Sequence, residues 1–519
     1  MSLELIFHGA AGTVTGSCME LRGSPHHVLI DCGLFQGSRS PEALNFEALP
    51  FDPRDLDLVV LTHAHLDHTG RLPLLAREGL RAPVICLPPN RQLLGPLLTD
   101  AAKIQAADAD RRNERPDRVG TTPFDPLYDL KDVENLIAQL KTVREGKLSE
   151  PVPGIGVRLW DAHHILGAAS VEIQLDGQKL LFSGDIGDGA THGSDPAAPP
   201  GGCDHVICES TYGDRDRVIP SAEERRAMLA KLVQAALERG GNLVIPAFAL
   251  ERTQLLIEDL VALFDSGALK PVPVFVDAPL ADKITRAYRR FDIPRHGPSP
   301  FDHPKVHFAR SVDESRMLNH ISGAVILAGS GMCTGGRIRY HLLRNLPRGD
   351  STVLFVGYQA RGTLGAVLED GAQQVRLSGH DVPARARIEK LEGYSGHADR
   401  AGLLRWIAAR GPIAGNLFLD HGEPPALAQL ARDSALLTGI GQPVVPALGQ
   451  SYILEPQAVA KPAQPARTDA EKLVEGKDWH SRHAALRAML EARLAALPSD
   501  QAHDAALATL ERAVETLGG

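Results

Sequence analysis

The 519-residue sequence lacks any apolar run that approaches the roughly 20 residues needed to cross a bilayer. Its first residues, MSLELIFHGAAGTVTG, have neither the basic start nor the apolar core of a secretory signal, and they are typical of a first β-strand. The six cysteines are widely scattered and form no disulfide framework, which favours a reducing compartment. We therefore predict a cytoplasmic protein that is not embedded in a membrane.

Excess positive charge is also missing, since 64 acidic residues face 55 basic ones and the formal net charge is −9. This balance argues against a protein that coats nucleic acid electrostatically, although it allows an enzyme that binds a few phosphates locally. Aromatic residues make up only 5% of the chain, and neither Trp160 nor Trp479 predicts a base-stacking platform. The hydrophobic content of 43% is that of an ordinary globular protein.

Short apolar runs alternate with amphipathic stretches from the N-terminus to about residue 455. Residues 58–62, 206–208 and 352–356 are typical of strands, whereas 221–238 and 251–264 have apolar residues at helical spacing. Such alternation predicts an α/β protein in which helices cover sheets.

The C-terminal part has a different composition. Residues 455–468 (EPQAVAKPAQPART) are polar and rich in proline, which predicts a linker. Residues 478–497 and 500–517 predict two helices joined at Pro498, each with one apolar stripe. We expect these helices to pair as a hairpin that docks on the body of the protein or on another copy of the chain.

The sharpest chemical signal is the segment LVVLTHAHLDHTGRLP at residues 58–73. An apolar strand ends at Thr62, and four candidate metal ligands follow within six residues, namely His63, His65, Asp67 and His68. Imidazole and carboxylate are ligands that zinc prefers. A polar loop with chance histidines is the alternative, but three histidines in six positions directly after a strand make it improbable.

Further ligand candidates follow later strands. His164 lies in DAHHILGAAS, Asp185 in LLFSGDIGD and His421 in LFLDHGEP. Each is weak evidence alone, because a single histidine after a strand is more often a hydrogen-bonded loop residue. The residues themselves also leave His163 and His164 as rivals. As a set, they share the context of a strand end and could complete a site for two metals.

These motifs resemble those of the metallo-β-lactamase-fold hydrolases of the β-CASP group. Within that group the chain is most similar to the cleavage-and-polyadenylation-type RNA nucleases and their bacterial and archaeal relatives. HAHLDH at 63–68 fits the motif H-x-H-x-D-H, and IDCG at 30–33 fits an early strand-end aspartate. The group's own motifs appear as ESTYG (209–213), SGMCTGGR (330–337), GYQARGTLG (357–365) and YSGHAD (394–399). The resemblance extends from residue 3 to about 455.

The resemblance implies a site for two Zn²⁺ ions with seven ligands. The first zinc would be bound by His63, His65 and His164. The second would be bound by Asp67, His68 and His421. Asp185 would bridge the two ions. Asp31 would accept a hydrogen bond from a ligand imidazole and so fix its tautomer. Two zinc ions would share a bridging hydroxide that attacks an RNA phosphodiester bond.

The resemblance also pairs His397 with Glu209, and Asp67 of the metal motif is counted with them as catalytic. An imidazole can be a cation near neutral pH, so His397 is the candidate donor of a proton to the departing O3′, oriented by Glu209. Taken alone, each residue has a structural alternative, such as a capping carboxylate or a hydrogen-bonded histidine.

The glycine-rich loop SGMCTGGR offers backbone N–H groups that could form an anion nest, and Arg337 could bind a phosphate through two nitrogens. Glycine-rich loops are common, so this evidence depends on the neighbouring motifs. The predicted RNA-backbone contacts are Ser330, Gly331, Gly335, Gly336, Arg337 and Arg361.

We therefore predict an α/β protein, a four-layer αββα metallo-β-lactamase sandwich split into residues 1–208 and 386–455. An α/β β-CASP domain (209–385) is inserted, and a linker (456–477) and a C-terminal helical hairpin (478–519) follow. A homo-oligomer would form through the hairpin or the β-CASP domain.

The predicted function is zinc-dependent hydrolysis of single-stranded RNA in RNA processing or decay, by endonuclease cleavage with 5′-exonuclease cleavage as a second mode. His421 favours RNA, because the DNA-repair branch of the family has an apolar residue there. One alternative is hydrolysis of a small ester or thioester, against which the large inserted domain argues. The other is a non-catalytic RNA-processing scaffold, against which the complete set of seven ligands argues.

Overall fold

The computed structural model describes residues 3–37, 39–114, 123–188, 201–291, 298–359, 362–469 and 499–517, with residues 490, 493, 494 and 497. In these ranges, no helix has both the length and the apolar character that crossing a membrane requires.

The described strands are β1 (Leu3–Phe7), β2 (Met19–Arg22), β3 (His27–Ile30), β4 (Leu58–Val60), β5 (Val84–Cys86), β6 (Leu140–Thr142), β7 (Ser149–Val152), β8 (Ile155–Asp161), β9 (Ala169–Leu175), β10 (Gln178–Phe182), β11 (His205–Glu209), β12 (Leu243–Pro246), β13 (Val274–Asp277), β14 (Val306–Phe308), β15 (Val325–Ala328), β16 (Thr352–Phe355), β17 (Gln374–Leu377), β18 (His380–Pro383), β19 (Arg387–Lys390), β20 (Leu417–Asp420), β21 (Ser451–Leu454) and β22 (Lys461–Pro462).

The described α-helices are α1 (Arg39–Ala43), α2 (Leu66–Thr69), α3 (Leu72–Arg77), α4 (Pro88–Asn113), α5 (Leu130–Gln139), α6 (Ala222–Glu238), α7 (Arg252–Asp265), α8 (Pro279–Phe291), α9 (Val312–Met317), α10 (Ile338–Asn345), α11 (Leu364–Glu369), α12 (Arg400–Ala408), α13 (Pro424–Ser434) and α14 (Asp500–Leu517). Short 3₁₀ turns lie at Leu44–Phe46, Pro53–Asp55, Pro300–Asp302 and Leu318–His320.

Two mixed sheets pack face to face. The first has the order β22-β21-β1-β2-β3-β4-β5-β6 and is parallel from β3 to β6. The second has the order β20-β11-β10-β9-β8-β7 and is parallel from β20 to β10. Strands from distant parts of the sequence therefore pair, β1 with β21 and β11 with β20, so the sandwich closes only when the C-terminal strands are in place.

Alternation of side chains produces the core between the two sheets. Leu5 and Phe7 of β1 and Val171 and Ile173 of β9 belong to one buried apolar cluster, since every second residue of a strand faces the same side. On the outer faces, α3, α4 and α5 cover the first sheet, and α12 and α13 cover the second. This arrangement confirms the predicted four-layer αββα sandwich.

The third sheet is built from residues 243–390 and is parallel throughout, in the order β14-β13-β15-β12-β16-β19. Helices α6, α7 and α8 cover one face, and α10 and α11 cover the other. Because both faces are buried, the central strands are continuous apolar runs such as VILA in β15 and TVLF in β16. The inserted α/β unit was thus predicted correctly.

The third sheet continues beyond the boundary that we placed between residues 385 and 386. β19 pairs with β16, and the chain leaves this sheet only after Lys390. The sequence RIEK of β19 is charged and lacks the apolar run of the other strands, which is typical of an edge strand, because charged side chains hinder its unpaired edge from pairing with another chain. The sequence pattern therefore gave no sign of it.

The predicted linker is wrong in its first part, because residues 460–467 pack on the sandwich. β22 pairs with β21 at the edge of the first sheet, where a proline is tolerated. The backbone N–H of Ala460 donates to Asn416 Oδ1 at 2.6 Å, and that of Arg467 donates to the Leu448 carbonyl at 2.9 Å. Residues 470–477 lie outside the described residues.

The second predicted C-terminal helix is present as α14. Most of the first one, residues 478–497, lies outside the described residues, so the hairpin stays a prediction.

Removal of the chain after Glu455 is expected to destabilise the sandwich, whereas removal after Asp469 is not. Truncation after Glu455 deletes β22 and the hydrogen bonds of Ala460, Ala463 and Arg467. At about 1 kcal/mol for each bond, the loss is about 3 kcal/mol, or roughly 5–10 °C in Tm. Thermal unfolding of both truncated chains measures the difference. Equal melting temperatures would show that residues 456–469 behave as a linker after all.

Candidate metal centre

The candidate ligands gather at one edge of the two facing sheets, where parallel strands end. Four of them follow β4 or lie in α2, and one each follows β8, β10 and β20. Because β3 and β4, and likewise β10, β11 and β20, run parallel, their carboxyl ends meet at a common edge. The fold therefore brings together seven residues that span 359 positions of sequence, from His63 to His421.

One group of donor atoms comes from His63, His65, His164 and Asp185, whose ligand atoms lie within 4.8 Å of one another. His65 Nδ1 is 3.1 Å from His63 Nε2 and 3.2 Å from His164 Nε2. Two ligands of one tetrahedral zinc, with bonds of roughly 2.0–2.1 Å, are about 3.3 Å apart. The spacing of the three nitrogens therefore fits a shared divalent metal.

A second group comes from Asp67, His68 and His421, again within 4.8 Å. His68 Nε2 is 3.1 Å from His421 Nε2, and Asp67 Oδ2 is 3.8 Å from the same His421 atom. Two imidazoles and a carboxylate form a donor set that suits a divalent metal with open positions.

Asp185 joins the two groups, because its two oxygens face different histidines. Oδ2 is 3.4 Å from His63 Nε2 and 3.5 Å from His164 Nε2, while Oδ1 is 3.3 Å from His68 Nε2 and 3.5 Å from His421 Nδ1. The residue is only 2% exposed, and Oδ1 has no hydrogen-bond partner within the described part of the chain. A buried carboxylate oxygen without a donor is costly, and a bound cation would satisfy it.

The structure separates His164 from its rival His163. His164 Nε2 points into the first group, and its Nδ1 is 2.9 Å from the Gly396 carbonyl, which requires the proton on Nδ1 and leaves Nε2 as a lone pair for a metal. His163 instead pairs with Asp161 at 3.1 Å, away from both groups.

Asp31 contacts one of the candidate ligands, His68. It accepts hydrogen bonds from the Thr62 backbone N–H at 2.8 Å, from the Thr62 hydroxyl at 2.7 Å and from His68 Nδ1 at 2.7 Å. The proton on Nδ1 of His68 leaves Nε2 free to bind a metal. Thr62 was not recognised as part of the site from the sequence, although its position directly before HAHLDH was a signal.

Burial tunes the histidines of the first group toward the neutral form that binds metals. It lowers the pKa of His65 to about 3 and also lowers the pKa values of His63 and His164. For His421, burial again lowers the pKa, but the carboxylates of Asp185 and Asp67 outweigh it and raise the pKa to about 9. The negative charge that raises this pKa is the charge that would attract a metal cation.

His397 lies beside the metal ligands and is paired with Glu209. Its Nδ1 is 3.3 Å from Glu209 Oε1, and its Nε2 is 3.9 Å from Asp185 Oδ2. Glu209 is fixed by the backbone N–H groups of Ile186 at 2.6 Å and Thr211 at 3.2 Å. Burial lowers the pKa of His397, but the Glu209 carboxylate outweighs it, so the pKa is raised above its ordinary value.

The arginine of the predicted phosphate loop already has a partner. Arg337 Nη1 donates to Asp277 Oδ1 at 2.6 Å and to the Ala309 carbonyl at 3.1 Å, so this nitrogen binds a carboxylate in place of the predicted phosphate. Ser330 closes the loop on itself, with its Oγ accepting from the Gly335 N–H at 3.2 Å. Arg361 lies outside the described residues. A phosphate contact by Ser330, Gly331, Gly335 or Gly336 stays a prediction.

Replacement of the shared carboxylate should remove metal from both groups. We expect Asp185→Asn to lower the metal content to below half of the wild-type value, since the amide withdraws one negative charge that faces four imidazoles. Asp161→Asn, which disturbs only His163, is the matched control and should retain the wild-type content. Elemental analysis after dialysis against buffered metal measures both. Full metal content in Asp185→Asn would contradict the shared position.

Comparison with known proteins identifies three matching family models. They are described as the metallo-beta-lactamase superfamily (residues 11–228), the Beta-Casp domain (253–368) and the Zn-dependent metallo-hydrolase RNA specificity domain (381–440). A protein of unknown function from Enterococcus faecalis V583 has a similar solved structure, with a TM-score of 0.51 and 15% identity, covering 88% of this chain and 100% of that one. At that identity the likeness concerns the fold alone.

Two curated relatives are more similar in sequence. Ribonuclease TTHA0252 of Thermus thermophilus is 35% identical over 446 residues, which cover 84% of this chain and 96% of the relative. Transcription termination factor FttA of Methanocaldococcus jannaschii is 31% identical over 443 residues, 81% of this chain and 67% of that protein. The chain therefore belongs to the metallo-β-lactamase superfamily, in the branch that carries a β-CASP domain.

Proposed function

We propose that the chain is a binuclear zinc ribonuclease that hydrolyses phosphodiester bonds of single-stranded RNA. The observation that carries the proposal is the position of Asp185, whose oxygens face both groups of histidines and also His397. The relative named ribonuclease and the match to an RNA specificity domain support RNA as the substrate.

His63, His65 and His164 would hold one zinc ion, Asp67, His68 and His421 the other, and Asp185 would bind both. When bound, the pair of ions lowers the pKa of water and stabilises negative charge on a phosphate. The described residues support this division, since the three-histidine group and the group of Asp67 lie on opposite oxygens of Asp185.

His397 is assigned the proton donor for the leaving oxygen of RNA. Nδ1 of His397 donates to the Glu209 carboxylate, so the second proton of the imidazolium lies on Nε2, the atom that faces Asp185 and the metal ligands. Glu209 favours the charged imidazole, which is the form that can give up a proton. Glu209 is therefore a positioning residue for His397, and Asp67 acts as a metal ligand.

The two alternatives have less support. A small ester or thioester needs no large third sheet beside the metal centre, whereas a polymer substrate does. A scaffold without activity does not require seven ligands in contact with one another together with a paired histidine and glutamate. A 5′-exonuclease mode, a cytoplasmic location and a homo-oligomer stay predictions of the sequence, as do the domain boundaries other than the two corrected above.

Loss of the proton donor should separate catalysis from metal binding. We expect His397→Ala to keep its metal and its fold while RNA cleavage falls by ~10²–10⁴-fold, the usual contribution of a positioned acid. Glu209→Gln should lower cleavage in the same direction but less. His163→Ala, a neighbouring histidine outside both groups, is the control and should cleave at the wild-type rate. Wild-type cleavage by His397→Ala would remove this residue from the mechanism.

Substrate class is tested directly with end-labelled single-stranded RNA, single-stranded DNA and p-nitrophenyl esters, each incubated with the zinc-loaded protein. We expect cleavage of RNA alone, inhibited by removal of zinc with a chelator. Preferential hydrolysis of the ester would favour the small-substrate alternative, and no turnover of any substrate would favour the scaffold.

A further inference from the structure

The carboxyl edge of the third sheet exposes two aromatic side chains. Phe248 follows β12 and Tyr358 follows β16, and these neighbouring strands run parallel, so both residues leave the sheet at the same edge. Phe248 is 41% exposed and Tyr358 is 59% exposed. Ligands of open parallel sheets bind at this edge, beyond the carboxyl ends of the strands.

The loop at Gly331 connects the positions of the two aromatic residues. The ring of Phe248 packs on Gly331, where a Cβ atom would lie 2.6 Å from the ring, so glycine is what allows the ring to lie close to the backbone. The carbonyl of the same Gly331 accepts a hydrogen bond from Gln359 Nε2 at 3.0 Å, directly after Tyr358. The loop at Gly331 therefore contacts Phe248 and the residue next to Tyr358, while both rings keep a large exposed fraction.

Arg252 links this edge to Tyr212 and Arg217, since it contacts the end of β16 and both of those residues act on its pKa. Its Nη1 donates to the Val356 carbonyl at 2.7 Å. It also lies only 3.0 Å from where a Cβ atom would be if Gly357, the residue before Tyr358, had a side chain. A carbonyl is neutral, so this hydrogen bond orients the guanidinium without neutralising it. Burial lowers the pKa of Arg252 to about 10, still well above neutral pH.

Arg217 and Tyr212 complete the connection to His397. The ring of Tyr212 stands edge-on to the His397 ring with centroids 5.9 Å apart. The Arg217 guanidinium lies 4.8 Å from the Tyr212 ring centroid, and its Nη1 donates to the His397 carbonyl at 3.2 Å. Arg217 thus also binds a neutral carbonyl, directly beside the proposed proton donor.

We propose that Arg217, Arg252, Tyr358 and Phe248 form a binding track for the unpaired nucleotides that flank the cleaved bond. The two guanidiniums bind backbone phosphates, and the two rings stack on bases. The proposal rests on the proposed function, because the metal centre fixes the scissile phosphate and so places the flanking strand on this edge. Bases in a duplex are already stacked on both faces, so the track selects unpaired RNA, with little preference for sequence.

The test compares a substrate with flanking bases and one without them. Phe248→Ala and Tyr358→Ala should each lower kcat/KM for a 20-nucleotide single-stranded RNA by about 5- to 150-fold, mainly through KM, as expected for one lost base stack. Hydrolysis of bis(p-nitrophenyl) phosphate, which has no flanking nucleotide, should stay within about twofold of wild type. Metal content and thermal unfolding are measured for every variant.

Two controls distinguish stacking from general damage. Phe248→Tyr and Tyr358→Phe keep a ring at each position and should cleave the RNA within about twofold of wild type. Phe46 is exposed to a similar extent, 48%, but it lines a separate cavity with the carboxylates of Glu47, Glu78 and Asp125, where RNA would be repelled. Phe46→Ala should therefore leave kcat/KM for RNA unchanged.

The other possible results of these measurements contradict either the binding track or the ribonuclease proposal. Wild-type kcat/KM for RNA in both alanine variants would overturn the track while leaving the ribonuclease proposal intact. A parallel fall for RNA and for bis(p-nitrophenyl) phosphate would assign the rings to the integrity of the metal centre, which also overturns the track. Failure of the wild-type protein to cleave RNA would overturn the proposed function itself.

Discussion

The candidate metal centre is built around the buried carboxylate of Asp185. Four imidazole nitrogens lie 3.3–3.5 Å from its two oxygens, and the donor atoms of neighbouring histidines approach one another to 3.1 Å. Such a cluster is unfavourable by itself, because a buried anion and several desolvated imidazoles lose their hydration. Bound divalent cations would resolve this conflict, because they would neutralise the carboxylate and accept the lone pairs of the neutral imidazoles. Metal binding and stability of this edge should therefore be coupled.

Two residues of the candidate metal centre have backbone conformations that are rarely adopted. Asp31 and His421 both have left-handed φ values, 58° and 47°, which cost about 1–3 kcal/mol each for residues with a Cβ atom. Hydrogen bonds compensate at both sites. Asp31 accepts three of them from Thr62 and His68, while the His421 N–H donates to the Ala10 carbonyl at 2.8 Å and its carbonyl accepts from Ser210. The left-handed conformations at these strand ends direct the side chains of Asp31 and His421 toward the candidate metal centre.

The third sheet uses its arginines in two different ways. Arg225 and Arg337 form ion pairs with the buried carboxylates of Asp259 and Asp277, at 2.7 and 2.6 Å, and so hold helices and loops against the sheet. Arg217 and Arg252 donate to backbone carbonyls instead, which leaves their positive charge near the metal centre. A chain with a net charge of −9 can in this way present a local site for an anionic polymer.

The sequence alone determined the α/β class, the αββα sandwich with its insertion and the seven side chains that gather in the two groups, because strand ends, residue types and motifs are local in sequence. It did not decide between His163 and His164, because these adjacent residues differ only in the direction in which the turn points them. It assigned a phosphate to Arg337, since the partner Asp277 is 60 positions away. It placed a linker where β22 pairs, and it found no stacking platform, because Phe248 and Tyr358 are 110 residues apart. Only the pairing of β12 with β16 brings those two rings to one edge, and pairing between distant strands is a property of the tertiary structure.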